Sequence, residues 1–196
     1  MTRVVLASGN AGKLQELQAL LGDRFELVPQ GLLGVTDAQE TGATFEENAL
    51  LKARHAAAAT GLAAIADDSG LEVDVLGGAP GVYSARYAGE PSDDAANNAR
   101  LLAELEGVAS ARRGARFRCV MAFVRSADDP RPVLAEGVWE GRIATAPRGS
   151  HGFGYDPLFI DRESGMRSAE LEPADKNRRS HRARAARALK DRLRRI

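Results

Sequence analysis

Val4-Val5-Leu6-Ala7, followed by Ser8-Gly9-Asn10-Ala11-Gly12-Lys13, is the stretch whose reading sets the fold. Its first four residues form a short unbroken apolar run, as expected of a strand buried on both faces. Ser8 to Gly12 is a small-residue loop. From Lys13 onward, Leu14, Leu17, Leu20 and Leu21 recur on one helical face, and Phe25 to Val28 returns as a second strand. A chain that opens strand–loop–helix–strand points to an α/β fold.

Working outward, Thr44 with Glu47 three residues later is a capping-box pattern that opens a helix running through Ala59, and Gly61 ends it. Leu62 to Ala66 reads as a compact strand stopped by Asp67-Asp68-Ser69-Gly70. Leu76 to Gly81 is turn-rich, and Ser92 is placed to cap a helix reaching about Leu105. Arg116 to Arg125 sets Phe117, Cys119, Met121 and Phe123 on one face. The turn Asp128-Asp129-Pro130 joins it to a strand from Val133 to Ile143, an antiparallel hairpin. Gly149 to Pro157 is a glycine-rich loop, and a last helix is expected from about Ser180 to Arg195. Crossover helices together with a hairpin predict a mixed sheet. There is no internal repeat or low-complexity linker, so the 196 residues read as one domain.

Composition narrows the function classes. With 44% hydrophobic and 28% charged residues the chain is an ordinary globular protein. No run approaches the ~18 apolar residues of a membrane span, and the first apolar run is too short for a signal-peptide core. A single cysteine, Cys119, excludes an intrachain disulfide framework and a cysteine-based zinc site, so a reducing cytoplasm is expected. The 27 basic and 27 acidic residues are unevenly spread. Nine of the basic ones but only one acid, Asp191, fall between Arg178 and Ile196. The remaining body carries 18 basic and 26 acidic groups, a net of −8. Such a tail fits a nucleic-acid arm, a helix with a wet basic face, or part of an anion site. Only four of the 27 cations are lysines: Lys13, Lys52, Lys176 and Lys190. Where arginine is the general cation, each lysine marks a place where a compact charge was used.

Five groups of residues could carry chemistry. Ser8-Gly9-Asn10-Ala11-Gly12-Lys13 lies between a buried strand and a helix N-terminus, where free N–H groups favour an anion. It is not a Walker A loop, because Leu14 stands where a magnesium-binding hydroxyl belongs; a plain turn capped by Asn10 is the competing reading. Asp67 and Asp68, at the end of a buried strand, occupy the usual place of a ligand crevice, and as neighbours on a strand they face opposite ways. With Glu40, Glu46 and Glu47 nearby in sequence, these hard oxygen donors suit Mg²⁺. Glu47 also reads as a cap and Glu46 as a solvated residue. Lys52 is either a solvated helical lysine or a site cation. Gly152-Phe153-Gly154-Tyr155-Asp156-Pro157 could stack a nucleobase, or pack its aromatics into the core. Lys176 and Ser180-His181-Arg182 begin the basic tail; His181 and Arg182 could read carbonyl oxygens on a base edge, or the segment could simply start a helix with a solvated basic face. His55, His151, Trp139 and Cys119 read as surface or packing residues.

Taken as a set these motifs resemble a known family. Ser8-Gly9-Asn10 with Lys13, Glu40-Thr41-Gly42, Phe45-Glu46-Glu47-Asn48 with Lys52-Ala53, Ala66-Asp67-Asp68-Ser69-Gly70-Leu71, Gly77-Gly78-Ala79-Pro80-Gly81, Phe153-Gly154-Tyr155-Asp156-Pro157 and Ser180-His181-Arg182 occur in the order of the inosine/xanthosine triphosphate pyrophosphatases. The resemblance covers essentially the whole chain. Ser8 stands where threonine is common in that family and keeps the hydroxyl.

The resemblance implies an elongated, two-lobed α/β fold with a long mixed sheet, a substrate cleft between the lobes, and a homodimer. It also implies Mg²⁺-dependent hydrolysis of ITP, dITP or XTP to the monophosphate and pyrophosphate. By the same resemblance Ser8, Gly9, Asn10, Ala11, Gly12 and Lys13 hold the triphosphate. Glu40 and Asp68 are linked to the metal, with Asp68 the base that activates water. Lys52, Ser69, Phe153, Gly154, Tyr155, Asp156, Lys176, His181 and Arg182 contact the substrate. A purine nucleoside triphosphate is then the partner, with no nucleic acid and no membrane. Clustered acids at Asp67 and Asp68 and a body charge of −8 weigh against a nucleic-acid module, since a duplex would be repelled there.

Overall fold

Val4, Val5 and Leu6 are fully buried, as their unbroken apolar run requires, and they form the middle of a sheet. A computed structural model describes residues 2–194 of the chain. Strand β1 (Thr2–Leu6) pairs in parallel with β2 (Phe25–Pro29), with Val4 opposite Leu27, and in parallel with β3 (Ala64–Val73), with Leu6 opposite Ile65. The helix between the first two strands is α1 (Ala11–Leu21), and α2 (Phe45–Thr60) leads into β3. Then follow α3 (Asp94–Glu104), the long strands β4 (Gly114–Val124) and β5 (Val133–Ile143), and the short β6 (Phe159–Asp161). Two helices, α4 (Pro173–Arg179) and α5 (His181–Leu193), close the described chain. The six strands lie in the order β2-β1-β3-β4-β5-β6, and β5–β6 is antiparallel, so the sheet is mixed as the sequence predicts.

The chain divides into two compact units, each with its own core. One comprises the segment up to Asp68, Cys119–Gly137 and the segment from His181 onward; the other comprises Ser69–Arg118 and Val138–Ser180. In the first, Leu17 and Leu21 of α1 and Ala185 and Leu189 of α5 pack with Leu6 and Met121 of the sheet. In the second, Trp139, Phe117 and Phe159 meet ring to ring, with Phe117 and Phe159 centroids 4.6 Å apart, and Trp139 Nε1 donates to Asp161 at 2.9 Å. The indole is thus satisfied while fully buried.

Four local expectations are corrected. The run Asp67-Asp68-Ser69-Gly70 does not stop β3; the strand continues through it to Val73. Its composition reads as a turn, but both carboxylates meet cations, so extended buried backbone costs them no unpaired charge. α1 begins at Ala11, two residues early, because the Asn10 side chain accepts from the Lys13 backbone N–H at 2.9 Å and caps the first turn. The α3 cap is Asp93 in place of Ser92, whose hydroxyl instead donates to the Ala85 carbonyl. The last is an omission: a short helix opened by Pro173, α4, precedes the expected one, and Ser180, with ψ 159°, separates it from α5, which begins at His181, within a residue of the expected start. The expected end at Arg195 lies outside the described residues. Thr44 caps α2 as expected, its hydroxyl accepting from Glu47 N–H at 3.2 Å, while the Glu47 carboxylate accepts from Ala43 N–H, one residue beyond the usual box partner.

Gly137 on β5 allows α5 to sit close on the sheet. A Cβ there would stand 2.1 Å from the His181 carbonyl oxygen and 2.4 Å from the Ala185 nitrogen. Both obstacles are backbone, so relief requires moving the first turns of α5. Gly137→Ala is therefore expected to destabilise the protein by about 1–3 kcal/mol, as overpacking does. An unchanged thermal midpoint would show that α5 can lift without cost.

Candidate functional site

The first unit gathers a cluster of charged side chains, most of them buried or half-buried, around the middle of β3. Asp67 and Asp68 are adjacent on an extended strand and so face opposite ways. β1 ends its pairing with β3 at Leu6–Ile65, so both carboxylates lie just past the end of their parallel neighbour. The Asp67 side chain is fully buried, and its Oδ2 accepts from Arg182 Nε of α5 at 3.1 Å and lies 3.5 Å from Lys13 Nζ of α1. Arg182, only 2% exposed, also pairs with Glu16 on α1. On the other face, Asp68 Oδ1 accepts from Lys52 Nζ of α2 at 2.8 Å. The same Nζ donates to Glu40 Oε1 at 2.8 Å, so one ammonium joins the two carboxylates. Asn48, one turn earlier on α2, donates to Asp68 Oδ2 at 3.2 Å and accepts from the Gly42 backbone N–H at 2.8 Å. That pair of bonds ties the Glu40–Gly42 segment to the strand.

Charge sets different states on the two neighbours. Burial pushes the Asp67 carboxyl up, but the charges of Lys13, Arg182 and Lys52 outweigh it and hold the group well below the usual carboxylate range. Burial dominates at Asp68 and leaves it above its ordinary value, against the pull of Lys52 and Lys13. Burial also pulls the Lys52 ammonium down, but the charges of Asp68, Asp67 and Glu40 leave it above its ordinary value. Asp67 is thus a fixed anion, while Asp68 is the carboxylate nearer to exchanging a proton. Cys119, 3.8 Å from Asp67, has a thiol pushed up by burial and by that anion, and it packs in the core as expected.

The loop before α1 is ordered by its own polar groups. Ser8 Oγ accepts from Asn10 N–H at 3.2 Å, and Asn10 caps the helix whose first turn carries Lys13. Ala11 and Gly12 belong to that first turn. A cavity of about 600 Å³ opens beside the loop, lined by Ser8, Gly9, Leu14 and residues 29–32 and 35–37; none of the acidic strand residues lines it.

The second unit holds a separate buried cluster. Asp156 accepts from Lys176 Nζ at 2.5 Å, from Ser168 Oγ at 2.8 Å and from the Phe153 backbone N–H at 2.9 Å. The Lys176 ammonium lies 5.0 Å from the centroid of the Phe153 ring. Gly154 is held from both sides, its N–H donating to Asp94 at 2.7 Å and its carbonyl accepting from Asn98 at 2.8 Å. Tyr155 is buried and donates to the Ser84 carbonyl at 2.7 Å. Of the loop's two aromatics, Tyr155 packs inward, as the core reading expects, while Phe153 stays half-buried beside a lysine.

Ser8, Lys13, Glu40, Lys52, Asp68 and Arg182 belong to the first unit with Gly9 to Gly12 and His181, while Ser69, Phe153 to Asp156 and Lys176 belong to the second. Glu46 is exposed. His55 and His151 each face a backbone carbonyl, of Thr36 and Leu171. Each of the four lysines pairs with an aspartate, Lys13 with Asp67, Lys52 with Asp68 and Lys176 with Asp156, all buried, and Lys190 with the exposed Asp23. Two participants carried no assigned role in the sequence reading. Asn48 had a usable signal, an amide inside an otherwise apolar helical face. Glu16 had only its place one turn after Lys13. Among the described residues no group of three or more His, Cys, Asp or Glu side chains is arranged to hold a metal.

Known proteins resemble this chain over nearly its whole length. Residues 4–192 match the Ham1 family. The dITP/XTP pyrophosphatase of Methylococcus capsulatus is 62% identical over 193 residues, covering 98% of this chain and 96% of its own. That of Pseudomonas aeruginosa is 58% identical over 193 residues, with 98% of each chain covered. Among solved structures, a HAM1 protein from Coxiella burnetii matches with a TM-score of 0.91 at 48% identity across 100% of both chains. The Staphylococcus aureus Ham1 protein matches with a TM-score of 0.85 at 40% identity across 98% of both. The motifs read from the sequence, the mixed six-stranded sheet and these full-length likenesses place the chain in one group: it belongs to the Ham1 family.

Proposed function

We propose that this chain hydrolyses the non-standard purine nucleoside triphosphates dITP, ITP and XTP to the monophosphate and pyrophosphate, removing them from the nucleotide pool before they enter DNA or RNA. The observation that carries this reading is the pairing of Lys52 with both Glu40 and Asp68, near Lys13 and a capped small-residue loop. Full-length relatives named dITP/XTP pyrophosphatase support it.

The Ser8–Lys13 segment offers backbone N–H groups, the hydroxyl of Ser8 and the ammonium of Lys13 to a triphosphate. Lys52 adds a second compact cation. Asp68, kept above its ordinary value by burial, takes a proton from the attacking water as the bond between the α and β phosphates breaks. The proton passes to the carboxylate, the water oxygen stays on the monophosphate, and pyrophosphate leaves. The donor set suits a hard divalent ion: two carboxylates, Glu40 and Asp68, already converge on one cation, and Mg²⁺ commonly takes one or two carboxylates with the remainder from phosphates and water. Bound there, Mg²⁺ would neutralise charge on the triphosphate oxygens. Ser69, Phe153 to Asp156, Lys176, His181 and Arg182 are the proposed contacts to the nucleoside. A set of N–H donors favours a 6-oxo purine, because adenine presents an amino group at that position and leaves both sides unpaired.

A homodimer is proposed from family resemblance. Among the described residues no helix is long and apolar enough to cross a membrane, and we place the protein in the cytoplasm.

The test is a pyrophosphate-release assay of purified protein on ITP, dITP, XTP, ATP, GTP and modified pyrimidine triphosphates. A preference for the 6-oxo purines of at least about 10²-fold in kcat/KM over ATP is expected from unpaired polar groups. Equal rates on ATP and ITP would remove the specificity claim, orthophosphate release would remove the bond assignment, and pyrimidine preference would transfer the activity to another substrate class.

A further inference from the structure

The tip of the β4–β5 hairpin, in the first unit, carries a cluster of arginines that the catalytic reading does not use. A cavity of about 350 Å³ is lined there by Arg125, Arg131, Pro132, Val133, Leu134 and Arg192. One carboxylate, Asp129, organises the turn and is consumed in doing so. It is buried, its Oδ2 accepts from the Arg125 N–H at 2.9 Å and Arg125 Nη1 at 3.0 Å, and its Oδ1 accepts from the Arg131 N–H at 2.9 Å. Arg125 Nη1 also donates to the Arg131 carbonyl at 3.1 Å, which closes the tip.

The other two guanidiniums keep their charge uncompensated. Arg192 reaches over from α5 and donates to the Leu134 carbonyl, a neutral partner. Among the described residues neither Arg131 nor Arg192 has a carboxylate within 4.0 Å, and the nearest acid in sequence to Arg192, Asp191, is paired with Arg194. The three guanidiniums lining the cavity outnumber the two acids of the turn, Asp128 and the buried Asp129, and leave a net positive charge around a concave surface. An arginine fork suits phosphate oxygens, two at a time, and an unneutralised group of them in a concavity raises the local concentration of anions.

We propose that this cavity is a second anion site, separate from the residues around Asp68, and that it takes a diphosphate group. A diphosphate supplies enough charge and enough oxygens for more than one guanidinium, which a monovalent anion does not. The apolar wall of Pro132, Val133 and Leu134 offers a surface for an attached nucleoside, so the diphosphate could be free pyrophosphate or the end of a nucleotide. The inference does not depend on the substrate assigned above.

The experiment is titration calorimetry of the full chain, without divalent metal, against pyrophosphate and separately against GDP. It is repeated on Arg131→Gln and on Arg131→Gln/Arg192→Gln. These side chains are exposed, so both variants should keep the wild-type melting temperature and turnover. A binding event weakened at least about tenfold by each substitution is expected, since one hydrogen bond to a charged group is worth that much. Tighter binding of GDP than of pyrophosphate would identify a nucleotide as the occupant, and the reverse would identify free pyrophosphate. Unchanged affinity in the double variant, no binding by the wild type at millimolar ligand, or preferential binding of random duplex DNA would each overturn the proposal. If the double variant fails to fold, Arg131→Gln alone decides, because its guanidinium makes no hydrogen bond or ion pair among the described residues.

Discussion

Asp68→Asn is expected to lower turnover by roughly 10²–10⁴-fold, the usual contribution of a positioned base, while the protein stays folded. Asparagine keeps the shape of the side chain and can still accept from Asn48, but it cannot take a proton from water. Lys52 retains Glu40 as a partner, so no buried cation is left alone. Because burial holds Asp68 above its ordinary value, the wild-type rate should fall on the acid side at a pH above the ~3.9 of a free aspartate. Below that point the carboxyl is protonated and cannot act as a base. The variant's residual rate should lack that acid limb. Steady-state pyrophosphate release as a function of pH, with a melting curve for each protein, measures both effects. A variant with near-normal kcat would take Asp68 out of the mechanism.

Arg182→Ala is expected to cause the largest loss of stability. Arg182 is buried and pairs with Asp67, whose side chain has no exposure, and with Glu16. Removing one partner of a buried pair costs about 3–5 kcal/mol, because the other charge stays behind in the interior. For a chain of this size that corresponds to a fall in melting temperature on the order of 10 °C. The pH dependence has a definite sign. Asp67 is held below its unfolded value, so it contributes stability that is present above about pH 4 and lost only as pH falls through the native value. Without Arg182 the native value rises and the contribution shrinks, so acid unfolding should begin at a higher pH. Lys13 remains near Asp67 and limits the damage. In Arg182→Ala/Asp67→Ala the loss should be smaller than the sum of the single losses, since neither charge is then stranded. Additive losses would show that Asp67 and Arg182 are not coupled.

Strands, helix faces and the hairpin were legible because apolar periodicity alone specifies them: β5 runs from Val133 to Ile143, as its pattern requires. The clearest misreading has a physical cause. At Asp67 to Gly70 local composition favours a turn, and charges supplied from elsewhere in the chain keep the backbone extended. Asp67 is accommodated in a buried strand because Lys13, from α1, and Arg182, 115 positions later, neutralise it. No local window contains that information. The ranking of lysines was a useful guide, since three of the four, Lys13, Lys52 and Lys176, pair with buried aspartates. The polar framework around them was harder to see. Asn48 and Ser168 support Asp68 and Asp156 by single hydrogen bonds, and such residues look in sequence like many others on amphipathic elements.

The late arrival of α5 has a consequence for the birth of the protein on the ribosome. The core of the first unit needs Ala185, Ala186 and Leu189, and the buried charge of Asp67 waits for Arg182. The second unit draws on no residue after Ser180. During synthesis the middle of the polypeptide can therefore settle while the beginning, made first, is still incomplete. The N-terminal strands must remain soluble until α5 has been made, and a product truncated before α5 would expose the Leu6 and Met121 surface that α5 packs against.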